Sequence, residues 1–165
     1  MCKVIGIGGL SRSGKSTLAQ WLHQQLPGSV MLCHDDFPQD QAKIPKVRDR
    51  IDWEHPDSIN WSLWQKAITS QAADCDYLIL EGLFQFREEA LPLKPDYLFY
   101  LGIAEQVFLK ARREETRWGP EPEWYLRHVW DSHFQFGLPQ HYQEVTYYEA
   151  ITESDYPKIL DQIRS

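Results

Sequence analysis

Gly9-Leu-Ser-Arg-Ser-Gly14-Lys15-Ser16 is the stretch of this chain best equipped for chemistry. It matches the pattern G-x-x-x-x-G-K-[ST] at every fixed position, with an apolar run before it and a helical pattern after it. The glycines let the backbone curl so that the N–H groups from Gly9 through Ser11, Arg12 and Ser13 to Gly14 converge on phosphate oxygens. The helix N-terminus adds the positive end of its dipole. Lys15 is expected to reach the β- and γ-phosphates, the Ser16 hydroxyl to hold Mg²⁺, and Thr17 to bond the α-phosphate. The expected ligand is a nucleoside triphosphate.

Two acidic positions lie where chemistry collects in open α/β sheets, just past the C-terminal ends of strands. His34-Asp35-Asp36-Phe37 follows the apolar run Ser29–Cys33, and Glu81 closes Asp76-Tyr-Leu-Ile-Leu-Glu81. A carboxylate there can accept a proton from an attacking hydroxyl or help to hold Mg²⁺. Asp also favours turns and helix caps, which is the competing reading for Asp36 above all. Arg112, Arg113 and Arg117 cluster before Gly119-Pro-Glu-Pro122. Guanidinium groups on a closing segment would neutralise charge on a transferring phosphoryl group, and Arg113 and Arg117 are the expected pair.

The elements that must position these groups follow from hydrophobic pattern and turn residues. Val4–Gly8, Ser29–Cys33, Asp76–Glu81 and Asp96–Leu101 read as buried strands, and Val145–Tyr148 as a fifth. Helices are expected over Gly14–Leu26, from near Asp57 through Ile68, over Ala104–Arg117, over Glu123–Phe136 and over Tyr156–Ile163. Asp36–Asn60, broken by Pro38, Pro45 and Pro56, reads mostly as loop. Alternating strands and helices predict an α/β sandwich around a mostly parallel five-stranded sheet, and a chain of 165 residues suits one domain.

Composition narrows the partners. A net charge of −7 argues against a general nucleic-acid or membrane-surface binder, and no apolar run is long enough to span a bilayer. The three cysteines have neither disulfide-framework nor zinc spacing, and the first residues pass straight into a strand, which together predict a cytoplasmic protein without a signal peptide. His128, His133 and His141 lack metal-ligand spacing. Trp61 and Trp64 read as core, and Cys33 as a small buried hydrophobe. Aromatics make up 13% of the chain, and most of them are expected in the core.

Taken in order, the phosphate loop, His34-Asp-Asp-Phe37, Leu78-Ile-Leu-Glu-Gly82, the Arg-rich helix and Tyr125-Leu-Arg-His-Val-Trp130 resemble nicotinamide riboside kinases. These sit within the wider uridine-kinase-like group of P-loop kinases, and the likeness runs from about Lys3 to Tyr148. The resemblance implies a P-loop kinase fold over 1–165 with a short lid at about 112–128. It implies transfer from ATP, with Mg²⁺, to the 5′-hydroxyl of a ribonucleoside, nicotinamide riboside first, and thereby a place in NAD biosynthesis. It implies that Asp35 is the catalytic carboxylate and that Glu81 contacts substrate or Mg²⁺. Trp53-Glu54 stands where the family has an aromatic–acid pair, usually Tyr or Phe followed by Asp, that stacks on the base and binds the ribose. The His55-Pro56-Asp57 that follows is closer to uridine kinases. Trp118, Trp124 and Tyr125 all remain candidates for a second stacking ring. Alternatives are a uridine/cytidine kinase, a kinase for another small alcohol, or a regulatory NTPase; no guanine-selecting N-K-x-D segment is present. A monomer or homodimer acting on a small molecule is expected.

Overall fold

Val4-Ile-Gly-Ile7 forms the middle of β1 (Lys3–Gly9), which lies at the centre of the sheet. The computed structural model describes residues 1–117 and 119–165. Next come α1 (Lys15–Gln25), β2 (Ser29–Cys33), a two-stranded hairpin of β3 (Lys46–Val47) and β4 (Arg50–Ile51), and α2 (Trp61–Ala72). β5 (Tyr77–Gly82), β6 (Tyr97–Leu101), α3 (Glu105–Arg113), α4 (Glu123–Phe136), β7 (Thr146–Tyr148) and α5 (Tyr156–Arg164) complete the chain. The main sheet has the order β2-β5-β1-β6-β7, and every pairing in it is parallel.

Strand side chains alternate between faces, so each strand feeds two cores. Ile5, Ile7, Ile79, Phe99 and Leu101 pack with Leu18 and Leu22 of α1 and with Ile159 and Ile163 of α5. Val4, Leu78, Leu80 and Leu98 pack on the other face with Trp64 and Ile68 of α2. Trp64 is fully buried and satisfies its indole by donating to the Ala90 carbonyl at 3.0 Å. Trp61 is half-buried against the same cluster. A third cluster joins Leu10, Phe108 of α3, and Tyr125 and Val129 of α4, which sets those two helices over the end of β1.

Two helices differ from their expected bounds. α2 begins at Trp61 and not near Asp57, because the Asn60 side chain accepts from the Leu63 amide and caps the helix there. Residues 56–58 form a separate short turn. α3 stops at Arg113, four residues before the expected end. The Glu115 carboxylate accepts from the amides of Thr116 and Arg117 at 3.1 and 3.0 Å, which holds them out of the helical ladder. Among the described residues no helix is long and apolar enough to cross a membrane.

Candidate active site

The strand order reverses on either side of β1, and the crevice beyond the strands' C-terminal ends holds a cavity of about 1290 Å³. That exceeds the usual range of roughly 300–1,000 Å³ for a single-ligand pocket, leaving room for two ligands side by side. Ser11, Arg12, Gly14, Lys15, Ser16 and Thr17 line one part of it. Gly14 has φ 96° at the N-terminus of α1, a left-handed conformation that L side chains rarely adopt. Lys15 is buried and donates to the Leu10 carbonyl at 2.9 Å, within its own loop. Burial lowers its pKa, while Glu81 and Asp35 favour the charged form.

Glu81 is only 2% exposed, and Ser16 Oγ donates to its Oε1 at 2.9 Å. Parallel pairing sets Cys33 of β2 beside Glu81, so the turn after β2 opens onto the same edge. Asp35 lies on that turn and faces the cavity. His34 anchors it. Its ring sits in a cage of Trp64 (4.6 Å), Trp61 (5.3 Å) and Phe84 (6.3 Å between centroids). Gly82 forms the floor, and any Cβ there would run into the imidazole. Burial drops the His34 pKa to about 3, so the ring stays neutral beside Asp35.

The opposite part of the cavity is built on the β3–β4 hairpin and the segment after it, with Arg50, Trp53 and Glu54 in the wall. Trp53 is 41% exposed, whereas Glu54 is buried. Asp52 holds this segment: its Oδ1 accepts from the Glu54 amide at 3.1 Å and from His128 Nε2 of α4 at 2.8 Å. Burial raises the Glu54 pKa to about 7, opposed chiefly by Arg112. Arg112 donates to Ser11 Oγ at 3.0 Å and to Glu121 at 2.8 Å, which ties α3 to the phosphate loop. Arg12 and Arg117 both donate to Glu115, at 3.1 and 2.7 Å, and link the segment after α3 to the same loop.

No family model matches the chain. Nicotinamide riboside kinase 2 of Mus musculus is 25% identical over 187 residues, covering 98% of this chain and 95% of that protein. A uridine kinase of Ureaplasma parvum is 24% identical, covering 66% of each. A solved structure of a possible uridine kinase from Bacillus stearothermophilus superposes with a TM-score of 0.55 at 20% identity, covering 87% of this chain and 88% of that one. The chain has the fold of the P-loop kinases. Its likeness is to the nicotinamide riboside and uridine kinases, so it is a phosphotransferase of the nucleoside or small-molecule type.

The kinase gathers most of the sequence-derived residues at one cavity: Ser11, Arg12, Gly14, Lys15, Ser16, Thr17, Asp35, Trp53, Glu54, Glu81 and Arg117 all line it. Gly9 and Ser13 belong to the loop but do not line the cavity. Arg113 does not line it either; its guanidinium is paired with both carboxylate oxygens of Glu123 at 2.7 and 2.9 Å on the surface. Arg112, its neighbour, lines the cavity instead. Trp124 lies under the Arg48 guanidinium, 4.1 Å from the ring centroid, and away from the cavity. Tyr125 is the α4 aromatic in the wall. Trp118 lies outside the described residues. Cys33, expected to be a buried hydrophobe, is half-buried in the cavity wall, and burial together with Glu81 raises its pKa.

Sequence reasoning placed Arg112 in the arginine cluster but preferred Arg113, and it missed Asp52, His128 and Arg50. Arg112 had a signal, because it stands four residues after the buried Phe108 and therefore on the inward face of α3. Asp52 and His128 are 76 residues apart, and nothing local links them.

Proposed function

We propose that this kinase transfers the γ-phosphoryl group of ATP to the 5′-hydroxyl of a ribonucleoside, with nicotinamide riboside as the first acceptor and uridine or cytidine as the alternative. The observation that carries the reading is the pairing of a buried carboxylate, Glu54, with a half-exposed ring, Trp53, in the cavity that also holds Lys15 and Asp35. An acid and an aromatic side by side suit a ribose diol and a flat base.

In this account the phosphate loop and Lys15 hold the triphosphate, and Arg112 and Arg117 face its γ end from the lid. Asp35 accepts the proton of the 5′-hydroxyl as its oxygen bonds to the γ-phosphorus and the bond to the β–γ bridging oxygen breaks, leaving ADP. Ser16 and Glu81, already in contact at 2.9 Å, present the hard oxygen atoms that suit Mg²⁺, with Asp35 opening onto the same edge. Mg²⁺ held there would draw charge from the phosphate oxygens. Glu54 accepts hydrogen bonds from the ribose hydroxyls, and Trp53 and Tyr125 flank the base.

Glu54 must be ionised to bind the diol by this route. Its pKa is raised to about 7, so the carboxylate form grows as pH rises through that value. Acceptor kcat/KM is expected to climb with a midpoint near neutrality, and Glu54→Gln to remove that limb. The opposite sign holds for folding: a carboxyl with a raised folded-state pKa stabilises the protein below its unfolded value of 4.5, and this is lost as pH rises towards about 7. A pH–rate profile of both proteins reads the first effect and pH-dependent melting the second. Trp53→Ala is expected to raise acceptor KM by about tenfold to a hundredfold, the equivalent of one lost base stack, while KM for ATP stays put.

A competition assay with nicotinamide riboside, uridine and cytidine at equal concentration, scored by the monophosphate formed, ranks the acceptors. Slow ATP hydrolysis indifferent to every alcohol would instead mark a regulatory NTPase.

A further inference from the structure

The Cys2 and Cys75 sulfur atoms lie 2.9 Å apart, although 73 residues separate them in the chain. Cys2 leads into β1 and Cys75 into β5. The two strands are parallel neighbours, with Lys3 opposite Tyr77 and the Lys3 amide donating to the Asp76 carbonyl at 2.9 Å. Both thiols are free and half-buried, so solvent reaches each of them. They pack with the apolar cluster under α2, at the N-terminal edge of the sheet. The cavity opens at the other edge, beyond a seven-residue strand, about 20 Å away at the strand rise of roughly 3.3 Å per residue. The mechanism proposed above uses neither cysteine.

We propose that Cys2 and Cys75 are a redox modification site: exchange with a low-molecular-weight disulfide such as oxidised glutathione converts the pair to an intramolecular disulfide that staples the start of β1 to the start of β5. The Cys75 thiolate attacks one sulfur of the small disulfide, forming a mixed disulfide and releasing one small thiolate. Cys2 then gives up its proton and attacks the Cys75 sulfur, releasing the second. Two protein thiols and one small disulfide become one protein disulfide and two small thiols. Burial and the neighbouring Cys75 raise the Cys2 pKa to about 12, which disfavours Cys2 as the first attacker. Contact with Cys75 makes it the resolving thiol, since the second step is intramolecular. Cys33, at the far end of the sheet in the cavity wall, has no cysteine partner among the described residues and stays reduced.

Peptide mass spectrometry after treatment with oxidised glutathione and quenching with an alkylating reagent tests this. The expected result is a Cys2–Cys75 cross-linked peptide and an alkylated Cys33. The crosslink should raise the melting midpoint by about 5 °C or more, because it closes a long loop of the unfolded chain, and dithiothreitol should reverse the rise. Acceptor-dependent turnover should be unchanged. Cys75→Ser and Cys2→Ser should each abolish the crosslink and the shift. The proposal is overturned if wild-type protein keeps both thiols alkylatable under glutathione disulfide and under diamide. A crosslink through Cys33, or glutathione carried separately on both residues, overturns it equally. None of these results depends on which acceptor the kinase uses.

Discussion

Asp35→Asn should lower kcat by about 10²- to 10⁴-fold, the usual contribution of a positioned general base, while the protein folds and binds ATP as before. The turn that carries Asp35 is set by His34 in its cage of Trp61, Trp64 and Phe84, so changing the exposed acid leaves the anchor intact. The amide keeps the size and the hydrogen-bonding shape but cannot take the proton of the acceptor hydroxyl. A wild-type kcat in the Asn variant contradicts the assignment. A rise in KM for ATP with little change in kcat would move Asp35 from proton acceptor to metal ligand, so the kcat–KM split separates the two roles.

Lys15→Met should cost about 10²- to 10³-fold in kcat, as loss of one preorganised charge donor does, without lowering stability. Lys15 is buried with its ammonium on the Leu10 carbonyl, and burial already lowers its pKa. The fold therefore disfavours the charge that the proposed transfer uses. Methionine has similar length, carries no charge and removes that desolvation cost, so its melting midpoint should match or exceed that of the parent. A melting midpoint that falls sharply would show that the ammonium has a structural role through Leu10. Full activity in the Met variant would contradict its place at the phosphates.

The parts legible in the sequence are those encoded by short-range pattern. The phosphate loop carries its own context of strand and helix, and the apolar runs that end in Cys33 and Glu81 set two acids at one sheet edge through parallel pairing. α4 runs from Glu123 to Phe136 as its Gly and Pro boundaries indicate. What the pattern does not resolve is rotation about a helix axis. Neighbouring residues differ by about 100° on a helix, so Arg112 and Arg113 face different surroundings. One bonds Ser11 and Glu121, the other Glu123. Tyr125 and Trp124 part in the same way, the first lining the cavity and the second lying under Arg48. The early end of α3 depends on the Glu115 carboxylate capturing two amides, a choice that helix propensity alone does not reveal. The Asp52–His128 bond, which ties the segment carrying Trp53 and Glu54 to α4, arises only once the chain is folded.

The proposed reaction is phosphoryl transfer to a ribonucleoside 5′-hydroxyl at the cavity lined by Lys15, Asp35, Trp53 and Glu54. Product analysis by phosphorus NMR and mass spectrometry, with ATP, Mg²⁺ and nicotinamide riboside or uridine, tests it most directly. One ADP is expected for each nucleoside 5′-monophosphate, with no phosphorylated product from the matching 5′-deoxynucleoside. ADP released without any phosphorylated nucleoside, or a phosphate placed on the 2′- or 3′-hydroxyl, would contradict it.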